Sequence, residues 1–269
     1  MARRLVYFFV VALLAGQAFA DLKPLELFSG DAEGEINGAH FRQIGPKGMG
    51  TGVLDPFVRL EKTGGGASPA VVEGYNTDGR LPGGGTPAPF DAKSDARYTH
   101  ALLATDVGTV DIDGTTYWEF LLDINQQGGP STRYLTLNEL QIYRGNGLQN
   151  LVTEALSGDG MLTALQSSLV WDLDAGTLGD NQINLDAKIG ATGQGKADMA
   201  AYIPVGGTGD YLLLYSQFGN GFDTNYTNND GYEEWGVREG GDPVAPAPAA
   251  VVLGMLGMSV AGLKLRRFV

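Results

Sequence analysis

The chain has 269 residues, with 41 glycines, 12 prolines, no cysteine, two histidines and a formal net charge of −13. Glycine and proline together make up about a fifth of it against a usual ~12%, which disfavours a helical bundle and points to many short strands joined by turns. The lack of cysteine excludes disulfides, zinc ribbons, iron–sulfur clusters and thiol nucleophiles, and the acidic balance makes nucleic acid and anionic lipid poor partners.

Residues 1–20, MARRLVYFFVVALLAGQAFA, combine a basic start at Arg3 and Arg4, an apolar stretch from Leu5 to Ala15, and small residues at Ala18 and Ala20. That order predicts a secretory signal peptide cut by signal peptidase after Ala20. The exported part is then Asp21 to Asp242, read as one all-β domain. Both flanks together carry five of the 18 basic residues (Arg3, Arg4, Lys264, Arg266, Arg267) and no acidic one, which leaves 13 basic against 31 acidic residues, near −18. Such a surface suits solubility and divalent cations.

The next signals are turns and strands. Gly64 to Pro89 is rich in glycine and proline and is predicted to be a long surface loop. Asp113-Gly114 marks a tight turn. From Tyr117 to Ile124 the even positions Trp118, Phe120, Leu122 and Ile124 are all apolar, so one face of this strand goes to a core. Between Tyr134 and Tyr143 the apolar parity changes, with Leu135 and Leu137 on one and Leu140 and Ile142 on the other, so a bulge or bend is expected near Asn138-Glu139. Asn146-Gly147 is a further turn, and Leu148 to Leu165 is the one stretch with room for much helix. Leu169, Trp171 and Leu173 repeat the alternation, and Tyr211 to Ser216 is apolar on both faces, as a central strand requires. The expected architecture is all-β: a β-sandwich or jelly-roll-like single domain.

Catalytic signatures are thin. Gly190 to Ala197 fits G-x-x-x-x-G-K, but Ala197 stands where a magnesium-binding Ser or Thr is needed, so a glycine-rich turn is the better reading. His40 and His100 are the only imidazoles, and no G-x-S-x-G elbow accompanies them. Glu119, Asp123, Glu233 and Glu234 are the candidates for a paired-carboxylate glycosidase, a third-ranked function. No cofactor is expected other than structural calcium. The segment Asp223 to Glu234 sets oxygen donors Asp223, Asn225, Thr227 and Asn229 at positions 1, 3, 5 and 7 and Glu234 at 12, the spacing of a calcium loop, although Asn228 occupies the place of its turn glycine. Tyr226, Tyr232 and Trp235 lie beside these donors and are candidates for stacking on sugar rings, so a calcium-assisted carbohydrate-binding module is the alternative function.

After Asp242 come Pro243-Val244-Ala245-Pro246-Ala247-Pro248, an uncharged run from Ala249 to Leu263, and Lys264-Leu265-Arg266-Arg267. Fifteen helical residues span about 22 Å, less than the ~30 Å of bilayer hydrocarbon, and the basic end should stay cytoplasmic. The run is expected to be a short transmembrane helix that holds the chain at the inner membrane in transit. The proline motif, apolar helix and basic tail together resemble the PEP-CTERM sorting signal of Gram-negative bacteria, with Ala247 in place of the usual glutamate. The segments EGYNTDG (Glu73–Gly79), YWEFLLDINQ (Tyr117–Gln126), LTLNELQIY (Leu135–Tyr143) and Tyr211 to Arg238 are similar to exported proteins that carry this tail. The resemblance offers no catalytic residue to carry over. It implies cleavage at Pro246-Ala247-Pro248 by an exosortase-type enzyme and association with exopolysaccharide. The expected function is therefore a non-enzymatic surface or extracellular-matrix protein.

Overall fold

A computed structural model describes residues 23–44, 54–61, 71–79, 90–151, 165–176, 179–189, 197–219, 221, 223, 225–229 and 231–238. The signal segment with Ala18 and Ala20, the motif Pro246-Ala247-Pro248, the apolar run 249–263, most of the 64–89 stretch, residues 190–196 and the interior of 148–165 lie outside them. Among the described residues no helix is long and apolar enough to cross a membrane.

The described residues form an all-β fold. In chain order the strands are β1 (Leu25–Leu27), β2 (Glu33–Ile36), β3 (Ala39–Gln43), β4 (Leu54–Leu60), β5 (Val72–Tyr75), β6 (Leu102–Leu103), β7 (Thr109–Ile112), β8 (Thr115–Ile124), β9 (Tyr134–Gly145), β10 (Leu169–Asp172), β11 (Ile183–Asp186), β12 (Met199–Pro204), β13 (Tyr211–Phe218) and β14 (Glu233–Arg238). Sheet A runs β1-β11-β9-β13-β5, with β10 also on β9 and β6 also on β13; sheet B runs β2-β3-β12-β8-β14-β4, with β7 also on β8. β1 joins β11 in parallel, and the other pairs are antiparallel.

The two sheets close on one core. Trp118, Phe120, Leu122 and Ile124 of β8 enter it as their alternation requires, and they meet Leu135, Leu137, Leu140 and Ile142 of β9. Both parities of β9 reach that core because a register break falls where predicted. Gln217 of β13 pairs with Glu139 and Phe218 with Leu137, so Asn138 is the extra residue of a bulge. β13 lies between β9 and β5/β6; it sends Leu212 and Leu214 inward, and Leu213 and Tyr215 to a second apolar cluster on the outer side. The β7–β8 turn is made by Asp113 (φ 50°) and Gly114 (φ 85°), the left-handed pair of a type I′ hairpin.

Three local expectations need correction. β5 sits inside the stretch read as loop, because Val72 and Tyr75 have a buried place against β13 that composition alone does not reveal. Leu169 does not share a face with Trp171 and Leu173. A bulge between Leu169 and Trp171 turns Leu169 to the outer cluster while the other two enter the core. Asn146-Gly147 does not join two strands; Gly147 (φ 88°) instead precedes a single 3-10 turn, Leu148–Asn150. In β4, Pro56 is accommodated because the strand is at the sheet edge and bulged, with Trp235 opposite Val58 and Gly236 opposite Pro56. Residues 91–100 then cover that edge, where Lys93 N and His100 N donate to the carbonyls of Arg59 and Phe57.

Candidate functional site

The calcium and sugar candidates all fall in the β13–β14 connection and in β14 itself. That connection is held down by a buried acid. β14 alternates, so Trp235 and Val237 enter the core, and Glu233, of the same parity, points inward at its start. Gln126 Nε2 and Asn228 Nδ2 both donate to Glu233 Oε1 at 2.5 Å, and Asn125 N reaches Oε2 at 3.4 Å. Asn229 completes the tie. Its Oδ1 accepts from Gln127 N at 3.0 Å, and its Nδ2 donates to the Thr132 carbonyl at 2.7 Å. The β8–β9 and β13–β14 connections are thus cross-linked side chain to backbone.

This anchoring places Tyr226. Past the end of β13, Thr136 N of β9 donates to Tyr226 O at 3.0 Å, and Tyr226 N donates to Asp223 O at 3.0 Å. The Tyr226 ring lies 5.0 Å from that of Tyr134 at 34°, and Phe28, just after β1, stands 5.1 Å from Tyr134 and 6.1 Å from Tyr226. All three rings are half-buried. Arg133 braces the group with its guanidinium 4.8 Å over the Tyr134 ring. Its Nη2 donates to Tyr134 Oη at 2.7 Å and lies 3.0 Å from the buried Asp186 carboxylate. Burial first, then Asp223, Tyr134, Glu26 and Asp186, push the Tyr226 phenol upward, so it stays a neutral O–H donor. Half-buried rings beside a guanidinium and carboxylates, with a Tyr226 hydroxyl that has no protein partner among the described residues, can meet apolar faces and hydrogen-bond hydroxyls.

The remaining candidates are placed elsewhere. Asp223 Oδ1 accepts from Asn225 N and Nδ2 at 2.9 and 2.8 Å, an Asx turn. The Thr227 carbonyl takes Asn229 Nδ2 at 3.3 Å. Glu234 is not brought to these donors, because strand alternation turns it outward, where it pairs with Arg59 of β4. Among the described residues no group of three or more acidic or histidine side chains is arranged to hold a metal ion. Tyr232 has Arg59 4.5 Å and Lys93 5.4 Å from its ring centre, and is a cation partner on the outer side of sheet B. Trp235 is corrected from a sugar platform to a core residue: it is 0% exposed, and its Nε1 donates across the sandwich to Ser216 Oγ at 3.0 Å.

Of the other carboxylates, Glu119 takes both Nε and Nη2 of Arg238 at 3.0 Å each on the outer face of sheet B, and Asp123 lies opposite Glu234 there. His40 rests edge-on to Tyr117, and His100 lies between the carbonyls of Ala101 and Pro56 at 2.8 and 3.1 Å. Phe28, Tyr134, Arg133 and Asp186 escape sequence reasoning, since long-range pairing alone brings them to Tyr226. No family model, curated protein or solved structure matches this chain.

Buried Glu233 and Asp198 and half-buried Asp174 make stability depend on pH. Burial raises Glu233 and Asp198 well above the usual carboxylate range, and burial followed by the Asp172 and Asp180 carboxylates pushes Asp174 up to about 6. The folded chain holds these protons more tightly than the unfolded one, so their contribution is full below about pH 4 and is lost as pH rises through the folded-state value. For Asp174 that window is about pH 4 to 6. Asp174→Asn, which keeps Oδ1 for the Asn181 N–H, should flatten the melting temperature across it. Glu233→Gln, which keeps the acceptor of both amides, should raise the melting temperature at pH 8. Scanning calorimetry between pH 4 and 8 checks both.

Proposed function

We propose that the chain is a non-enzymatic surface or extracellular-matrix protein. It is exported through residues 1–20 and held at the inner membrane by Ala249–Leu263. It is then processed at Pro246-Ala247-Pro248 by an exosortase-type enzyme, and it associates with exopolysaccharide outside. The observation that carries this reading is the order of segments: a basic–apolar–small start, a strongly acidic all-β domain without cysteine, then a proline motif, an apolar run too short for a settled span, and a basic tail. Three of the four carboxylates considered for hydrolysis have other partners. Glu119 is ion-paired with Arg238, Glu234 with Arg59, and Glu233 lies under two amides.

Replacing Pro246 and Pro248 by alanine tests the processing step. Full-length protein should accumulate in the inner membrane fraction of cells making the variant. Release indistinguishable from the parent chain refutes the sorting model.

A further inference from the structure

We infer that the Phe28–Tyr134–Tyr226 cluster is a binding site for a neutral polysaccharide, with the rings stacking on pyranose faces and the Tyr226 hydroxyl donating to the glycan. The inference rests on the export reading above and supplies its contact surface.

Placement sets these three rings apart. Phe28, Tyr134 and Tyr226 come from three distant parts of the chain and touch one another, yet none belongs to the apolar clusters that hold the sandwich together. Aromatic side chains that serve a core dominate its buried area; these remain half-buried at its margin.

Hydrogen bonding sets Tyr226 apart in turn. Tyr134 Oη is engaged by Arg133, whereas among the described residues the Tyr226 hydroxyl has no protein partner. The phenol is held in its neutral, donating form, and sugar hydroxyls accept such a bond. The site is also pre-formed: the backbone bonds to Thr136 and Asp223 and the Glu233 network fix the ring before any ligand arrives, which lowers the ordering cost of binding.

Charge selects the kind of glycan. Asp223, Glu26 and Asp186 act electrostatically on the phenol, and the domain as a whole is strongly acidic. A polyuronate or sulfated chain would be repelled on approach. A neutral β-linked glucan or similar hexose polymer has flat C–H faces for the rings and hydroxyls for Tyr226 and Arg133, without that repulsion.

Native affinity electrophoresis of the purified full chain, in gels containing hydroxyethylcellulose or alginate, tests the site. The neutral glucan should retard the parent chain. Tyr226→Ala should weaken retardation about tenfold, and Tyr226→Phe, which keeps the ring, about threefold, both at an unchanged melting temperature. If Tyr226→Ala melts early, Phe28→Leu provides the second variant, with the same loss of retardation expected. No retardation by the glucan, retardation by alginate only, or retardation that survives the loss of the rings would overturn the inference. Export and processing are read separately from the mass of the cellular protein. Correct processing with no retardation defeats the site alone; retardation by a chain that is never processed defeats the sorting reading alone.

Discussion

Arg238→Ala should lower the unfolding free energy by about 3–5 kcal/mol, because it leaves a buried carboxylate without its counter-charge. The Arg238 and Glu119 side chains are 6% and 1% exposed, and the fork of Arg238 meets both oxygens of Glu119 at 3.0 Å. Tyr202 Oη adds a longer contact at 3.4 Å. The pair fastens the end of β14 to the middle of β8, on the side of sheet B away from the core. Removing both charges should cost much less than removing one, since the desolvation of the orphaned carboxylate is then avoided. Urea unfolding of Arg238→Ala, Glu119→Gln and the Glu119→Gln/Arg238→Met double variant measures the difference. Equal losses in single and double variants would mean that packing of the arginine stem, not charge, holds this corner.

The second large effect is at Trp235. Truncation to alanine should cost about 3–5 kcal/mol, the range for emptying a fully buried large aromatic site. The indole spans the sandwich: it sits in β14 of sheet B, and its N–H reaches Ser216 of β13 in sheet A. Trp235→Phe keeps most of the apolar volume and loses that hydrogen bond, so about 1–2 kcal/mol is expected for it, with Ser216 left to find another partner. The neighbouring Gly236 explains why the site cannot slide to recover contacts. A side chain there would come within 2.6 Å of Leu54 Cγ and 2.7 Å of the Asp55 carbonyl, so β14 and β4 are already at closest approach. Denaturant midpoints of the two variants should differ in that order; a Trp235→Ala midpoint close to the parent's would contradict the placement of Trp235.

Where local pattern and tertiary position coincide, the sequence was readable. The Trp118–Ile124 alternation, the Asp113-Gly114 turn and the parity change at Asn138 each express a constraint acting within a few residues: pleat, left-handed backbone and bulge. β13 was legible for the related reason that a strand buried on both faces has no polar side to show. The losses have one cause. β5 is four residues long and acquires its meaning from pairing with β13 across the chain. The aromatic cluster needs β1, β9 and the β13–β14 connection brought together, which no spacing in the sequence encodes. Reading Asp223–Glu234 as one loop, with Trp235 beside it, misplaces both Glu234 and Trp235. The chain enters a strand at Glu233, and alternation then turns Glu233 and Trp235 inward and Glu234 outward. The pattern Glu233-Glu234-Trp235-Gly236-Val237 carried that information, since tryptophan and valine two residues apart are the mark of a core-facing strand.

The central claim, that this is an exported domain delivered and processed through the segment after Asp242, is tested most directly by the intact mass of the protein recovered from cells, fraction by fraction. The account predicts a species that begins at Asp21 and ends near Pro248, found outside the inner membrane, with any additional mass identifying the group attached on processing. A species that still ends at Val269 in the inner membrane would make the tail a plain anchor and contradict the account.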